Sequence, residues 1–115
     1  MKIATREIDH ILLLDLFGPF PDSDDERAAT VDAICDALTG QTHFAIVFHK
    51  VHWLRSVDIG LLLRSLKAAK VPMGGTGPFV TLVAEDDRVR STLRVMEAPF
   101  RVFATEAEAL SSLCD

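Results

Sequence analysis

The sequence predicts a single α/β domain: a mixed, mostly parallel sheet of about five strands, with right-handed β-α crossovers and about four helices. Three observations carry this expectation. Short apolar runs alternate with stretches of helical periodicity along the whole chain. The run Phe44–Phe48 (FAIVF) is apolar throughout, as in a strand covered on both faces. Acidic residues collect at the starts of the helical stretches, where free N–H groups and the helix dipole favour them. With 115 residues, 49% of them hydrophobic, the chain has the size of one domain, residues 1–115, able to bury a core without disulfide or metal staples.

Taken in order, Lys2–Glu7 reads as a short first strand. His10–Phe17 (HILLLDLF) is a dense aliphatic run, too short for a free helix, and reads as a buried strand. Gly18-Pro19-Phe20-Pro21-Asp22-Ser23 breaks it, because neither proline can donate to a sheet ladder. Ser23 or Asp24 then caps a helix with Asp25 and Glu26 in its first turn. Its apolar face is Val31, Ile34, Cys35 and Leu38, and Gly40 stops it. The central strand Phe44–Phe48 follows, then a connector, His49–Arg55. Ser56 is expected to cap a second helix with the stripe Ile59, Leu62, Leu63 and Leu66, ending on Lys67 and Lys70.

The later part of the chain repeats the alternation. Pro72–Pro78 (PMGGTGP) is a loop and Phe79–Ala84 (FVTLVA) a strand. Asp86 or Asp87 opens a third helix with Val89, Leu93 and Met96 on one side. Arg101–Ala104 is a short strand, and Thr105-Glu106-Ala107-Glu108 starts a last helix through Leu110 and Leu113. The order is β-β-α-β-α-β-α-β-α, with the first strand added at one edge.

Charge and composition exclude several functions. The chain carries 12 basic and 17 acidic side chains, a formal charge of -5, which opposes nucleic acid and anionic membrane surfaces as partners. No apolar run approaches the ~20 residues of a membrane-spanning helix, and Lys2, Arg6 and Glu7 stand where a signal peptide needs apolar residues. A soluble, cytoplasmic module is expected. Cys35 and Cys114 have no zinc-ligand spacing; Cys35 reads as a structural thiol, and a reducing cytosol disfavours a bridge between them.

The motifs that could carry chemistry are sparse. His43, His49 and His52 cluster near one strand end, but His49-x-x-His52 lacks a cysteine or carboxylate in ligand spacing. Gly74-Gly75-Thr76-Gly77 lacks the Lys-Ser/Thr of a phosphate-binding loop. No Ser-His-Asp order, paired-carboxylate motif or dinucleotide fingerprint is present. No enzyme activity, cofactor or metal is expected. Trp53, the only Trp, has two readings, core residue or exposed binding anchor. Phe20, between two prolines, is either a packed loop residue or a contact on the same rim.

Three pieces together resemble the STAS domain family of bacterial anti-sigma-factor antagonists and of sulfate-transporter tails. Leu12–Gly18 is an apolar strand ending in Gly before an acidic helix. The segment from Phe44 to Leu63 is similar to the family's strand, loop and D-S-S-G-L-G-x-L-L helix start. Val80–Ala84, Val89, Leu93, Phe103 and Glu106-Ala107-Glu108-Ala109-Leu110 are similar to its closing strand, helix, strand and E-E-A-L helix. The resemblance covers nearly the whole chain and implies a STAS-like fold. It also implies a switch in which an anti-sigma factor that is also a serine kinase modifies the second Ser of D-S-S-G. A phosphate there adds about -2 charge at a helix N-terminus, where anions are favoured and a partner must dock.

The chain departs from the family at that point. The match places Arg55 on the Asp, Ser56 on the first Ser, Val57 on the phosphorylated Ser and Asp58 on the Gly. A register with Gly60 on the motif Gly also leaves no acceptor. Ser56 and Asp58 then have three readings: a helix cap with a first-turn acid, a fixed negative charge standing in for the phosphate, or phosphorylation of Ser56 itself with Arg55 as its partner. The resemblance implies a non-catalytic protein-interaction domain binding an anti-sigma factor, serine kinase or related regulator through Trp53, Leu54, Arg55, Ser56, Val57 and Asp58, with Phe20 beside them. A homo-oligomer is compatible with it. The alternatives are an accessory subunit of a transport system and a small-molecule-binding regulatory domain for a nucleotide or fatty acid.

Overall fold

In the computed structural model, which describes residues 1–71, 80–95 and 100–114, the chain begins as a hairpin of β1 (Lys2–Ile8) and β2 (Ile11–Phe17). Asp9 and His10 close it, at φ 51° and 67°. Two successive residues of positive φ form a type I′ turn, whose twist suits paired strands. His10 is therefore turn rather than strand. The aliphatic run after it masked the boundary.

From β2 onward every pairing is parallel. β2 pairs with β3 (Phe44–His49), β3 with β4 (Val80–Ala84) and β4 with β5 (Phe100–Phe103), so the sheet order is β1-β2-β3-β4-β5. The helices α1 (Asp24–Leu38), α2 (Ser56–Ala68), α3 (Asp87–Val95) and α4 (Glu106–Cys114) fall between and after the strands in the expected order. Expected positions 72–79 and Met96 lie outside the described residues.

The alternation of side chains along each strand divides the core into two. Leu14, Leu16, Ile46, Phe48 and Leu82 point to one face, where Ile34 and Leu38 of α1 and Leu62 and Leu66 of α2 meet them. Each fully buried Leu or Ile contributes about 1.5–3 kcal/mol through lost water contact. On α2 the buried stripe includes Leu61, whereas Leu63 is half-buried; α2 packs against both the sheet and α1, so its apolar face is wider than one stripe. The opposite face packs Leu13, Ala45, Val47 and Val83 under Ala109 of α4, with Leu110 and Leu113 at the margin. Among the described residues α4 is the one helix on that side, and it packs on β3, β4 and β5.

The caps follow local chemistry. Ser23 Oγ accepts from the Glu26 N–H at 3.2 Å and starts α1, and Gly40, at φ 81°, follows its end. Asp86 caps α3 by accepting from the Arg88 and Val89 N–H groups. α2 ends with Lys70 at φ 60°. The Val71 N–H donates to Leu66 C=O and the Lys70 N–H to Lys67 C=O, the paired bonds of a Schellman motif.

Candidate functional site

The carboxyl ends of β2 and β3 lead into two loops that meet over the start of α2. Gly18 lies where they touch. Its N–H donates to His49 C=O at 2.9 Å, and a Cβ at this position would stand 2.7 Å from Val51 Cγ2 and 2.9 Å from Lys50 C=O. Only a residue without a side chain permits that approach. Beyond it Phe20 turns inward, 5% exposed, its ring 6.1 Å from that of Phe48. Phe20 is thus a packed loop residue, and it belongs to the floor of the region rather than to its contact surface.

The start of α2 is built differently from the sequence expectation. The N-cap is Arg55, in extended backbone, and Ser56 is the first helical residue. Ser56 therefore does not cap α2, a correction to the sequence reading. The capping acceptor is Asp58, whose Oδ2 accepts from the Arg55 backbone N–H at 2.9 Å. Its two carboxylate oxygens also accept from Arg55 Nε and a guanidinium NH2 at 3.1 and 3.0 Å. The remaining Arg55 donor reaches Asp22 in the β2–α1 loop at 2.5 Å. These bonds hold the guanidinium pKa above its ordinary value, with Asp58 the larger influence and Asp22 the next.

This geometry decides among the readings of Asp58. The residue is 2% exposed and fully engaged by Arg55, so its charge is neutralised inside the protein and not displayed to a partner. The surface at this point is apolar instead. Trp53 is 64% exposed and Val57, second residue of α2, is 42% exposed, with Leu54 half-buried between them. Ser56 and Arg55 are exposed beside them. Trp53, Pro19, Phe20 and Val51 wall a cleft of about 340 Å³ with Arg55 and Asp58 on its rim. Trp53 is therefore not a core residue.

The histidines do not converge. His43 Nδ1 contacts Thr42, 3.0 Å away. His52 Nδ1 lies 3.3 Å from Asp86, tying the β3–α2 loop to the cap of α3. Burial alone would raise the Asp86 pKa, but His52 and the Arg88 and Val89 N–H groups hold it below the usual value. His49 points to the other side of the sheet. Cys35 is a free, half-buried thiol packed on the core, and the Cys114 side chain lies outside the described residues.

His49 joins a cluster that the sequence reading missed. Asp15, the one acid inside the aliphatic run of β2, has a side chain 4% exposed. Its Oδ2 accepts from Arg6 Nε at 2.6 Å and its Oδ1 from an Arg6 NH2 at 2.7 Å, and His49 Nε2 lies 2.8 Å from Oδ1. Arg6 also donates to Glu106, at the start of α4, at 2.7 Å. His49 stacks on Phe17 with ring centroids 4.5 Å apart. Burial pushes the Asp15 pKa up, yet the Arg6 and His49 hydrogen bonds prevail and hold it below the ordinary value. The signal was present: a lone acid between buried leucines requires a cation.

The antiparallel edge strand, the four parallel strands and the helix order define the fold of STAS-type proteins. The chain is similar to a Thermotoga maritima protein assigned as an anti-sigma factor antagonist, at 17% identity and a TM-score of 0.68 over 98% of this chain and 95% of that one. It is also similar to a STAS domain protein of Planctomyces limnophilus (18% identity, TM-score 0.65, 96% of each chain). An anti-sigma factor antagonist of Mycobacterium paratuberculosis matches at 18% identity and a TM-score of 0.64, over 99% of this chain and 94% of that one. No family model matches the sequence, and no curated protein matches it significantly. At these identities the likeness establishes the fold. No helix among the described residues is long and apolar enough to cross a membrane.

Proposed function

We propose that this chain is a non-catalytic protein-interaction module that acts as anti-sigma-factor antagonists do, regulating a partner-switching complex through the loop–helix face from Trp53 to Asp58. The observation that carries the reading is the exposed pair Trp53 and Val57 at the start of α2, in a domain of STAS-type fold. Trp is favoured as an interface anchor because it offers a large rigid area at little entropic cost, and truncating such an anchor costs about 2 kcal/mol or more of binding. Beneath it, the Arg55 bonds to Asp58 and Asp22 hold the anchor's loop in place before any partner arrives, which lowers the ordering cost of docking.

The reading includes the absence of the family's usual phosphorylation. Val57 stands where the resemblance places the acceptor and has no hydroxyl. The test uses an anti-sigma factor with serine-kinase activity from the same genome. Binding is measured by calorimetry, and modification is mapped by mass spectrometry after incubation with ATP. Wild type is expected to bind and stay unmodified, and Trp53→Ala to bind roughly 30-fold more weakly. Undiminished binding by Trp53→Ala would remove the proposed face, and phosphate on Ser56 would overturn the phosphorylation-independent reading.

A further inference from the structure

The cluster under α4 has a geometry that the interaction role does not use. Asp15, His49 and Glu106 come from β2, β3 and α4, and one ligand atom from each lies within 4.8 Å of the other two. We propose that these three side chains form a site for a divalent transition-metal cation of the Zn²⁺ class, held in competition with the Arg6 guanidinium. One imidazole and two carboxylates suit Zn²⁺ or Co²⁺ better than Ca²⁺ or Mg²⁺, which take oxygen ligands in larger number. Tetrahedral ligands around such an ion stand roughly 3.4 Å apart. Asp15 Oδ1 and His49 Nε2, now 2.8 Å apart, therefore need to open only slightly, while the Glu106 carboxylate closes by little more than about 1 Å at most.

The surroundings favour this occupant. Two carboxylates brought this close call for a cation, and Arg6 now bridges them, bonded to Asp15 and Glu106. Arg6 is also the group able to leave: its side chain is 40% exposed on the edge strand β1. The ligands are better fixed, Asp15 by burial and the His49 ring by its stack on Phe17. His49 and Glu106 keep side-chain exposures of 31% and 34%, so solvent reaches the fourth coordination position. Metal and Arg6 exclude each other. Occupancy therefore releases the contact that ties the first strand to the last helix.

Co²⁺ titration of wild type, Arg6→Met, His49→Gln and the double variant tests the site, with visible absorption reporting tetrahedral ligation. Arg6→Met is expected to bind one Co²⁺ at least about tenfold more tightly than wild type, and Arg6→Met/His49→Gln to lose the absorption. Affinity in Arg6→Met no higher than in wild type, or absorption retained in the double variant, would overturn the proposal. If circular dichroism shows Arg6→Met unfolded, the midpoint shift of wild type with excess Zn²⁺ decides. A rise in wild type that His49→Gln lacks supports the site, and no rise, or equal rises, refutes it.

Discussion

Two regions of this molecule solve one electrostatic problem in different ways. Each holds a nearly buried aspartate neutralised by an arginine: Asp15 by Arg6, and Asp58 by Arg55. The first pair joins residues on neighbouring strands, with His49 and Glu106 completing the group, so it ties four elements together, β1, β2, β3 and α4. The second is local, three residues apart on one helix start, and its one distant bond runs to the exposed Asp22. The difference shows in what lies above them. Over Asp15 are polar side chains, and the pair joins the edge strand to the last helix. Around Asp58 the surface is apolar, with Trp53 and Val57 exposed, and the pair fixes the start of α2 beside them. A buried ion pair thus has no fixed role; its partners determine whether it ties distant elements together or sets one helix start.

Substitutions that separate the two regions test this contrast, the largest effect first. Asp15→Ala removes the acceptor for Arg6 and His49 and is expected to destabilise by about 2–4 kcal/mol. That is below the ~3–5 kcal/mol of a fully buried pair, because Arg6 is partly exposed and can turn to water. Chemical denaturation measures it. Asp58→Ala is expected to cost about 1–2 kcal/mol, the value of a lost cap with its hydrogen bonds, and to weaken partner binding by loosening the Trp53 loop. Equal losses from the two variants would erase the distinction drawn here.

The pH dependence of stability probes the Asp15 region. The folded-state pKa of Asp15 lies below its unfolded value of ~3.9. Its contribution to stability is therefore fully present above that value and is lost as pH falls through the lower, folded value. Acid unfolding followed by fluorescence should be less steep at low pH in Asp15→Asn than in wild type. The smallest effect is expected from Ser56→Ala. An N-cap serine would cost about 0.5–2 kcal/mol, whereas a first-turn, exposed Ser56 leaves stability within ~0.5 kcal/mol of wild type. A larger loss would show that Ser56 caps α2 after all.

The fold was legible because its signals are local. The aliphatic runs, the Ser23 and Asp86 caps and the Gly40 stop each depend on a few neighbouring residues, and the strand and helix order follows from them. The site was legible only in outline. The β3–α2 segment was found, but the cap was assigned to Ser56 by residue preference. An aspartate three residues further along took that role, since a carboxylate at the third helical position accepts the N-cap N–H as readily.

What the sequence determined alone was the α/β architecture and the net charge of -5; these follow from residue type and spacing. What only the tertiary structure decided was which polar groups meet. Arg6 and Glu106 are 100 positions apart, and Asp15 and His49 are 34. No periodicity encodes such a meeting, because strand pairing and the return of α4 across the sheet bring them together. The same holds for exposure. Phe20 and Trp53 are both aromatic residues in loops, yet one packs on Phe48 and the other faces solvent, since burial depends on what the rest of the chain places above each ring.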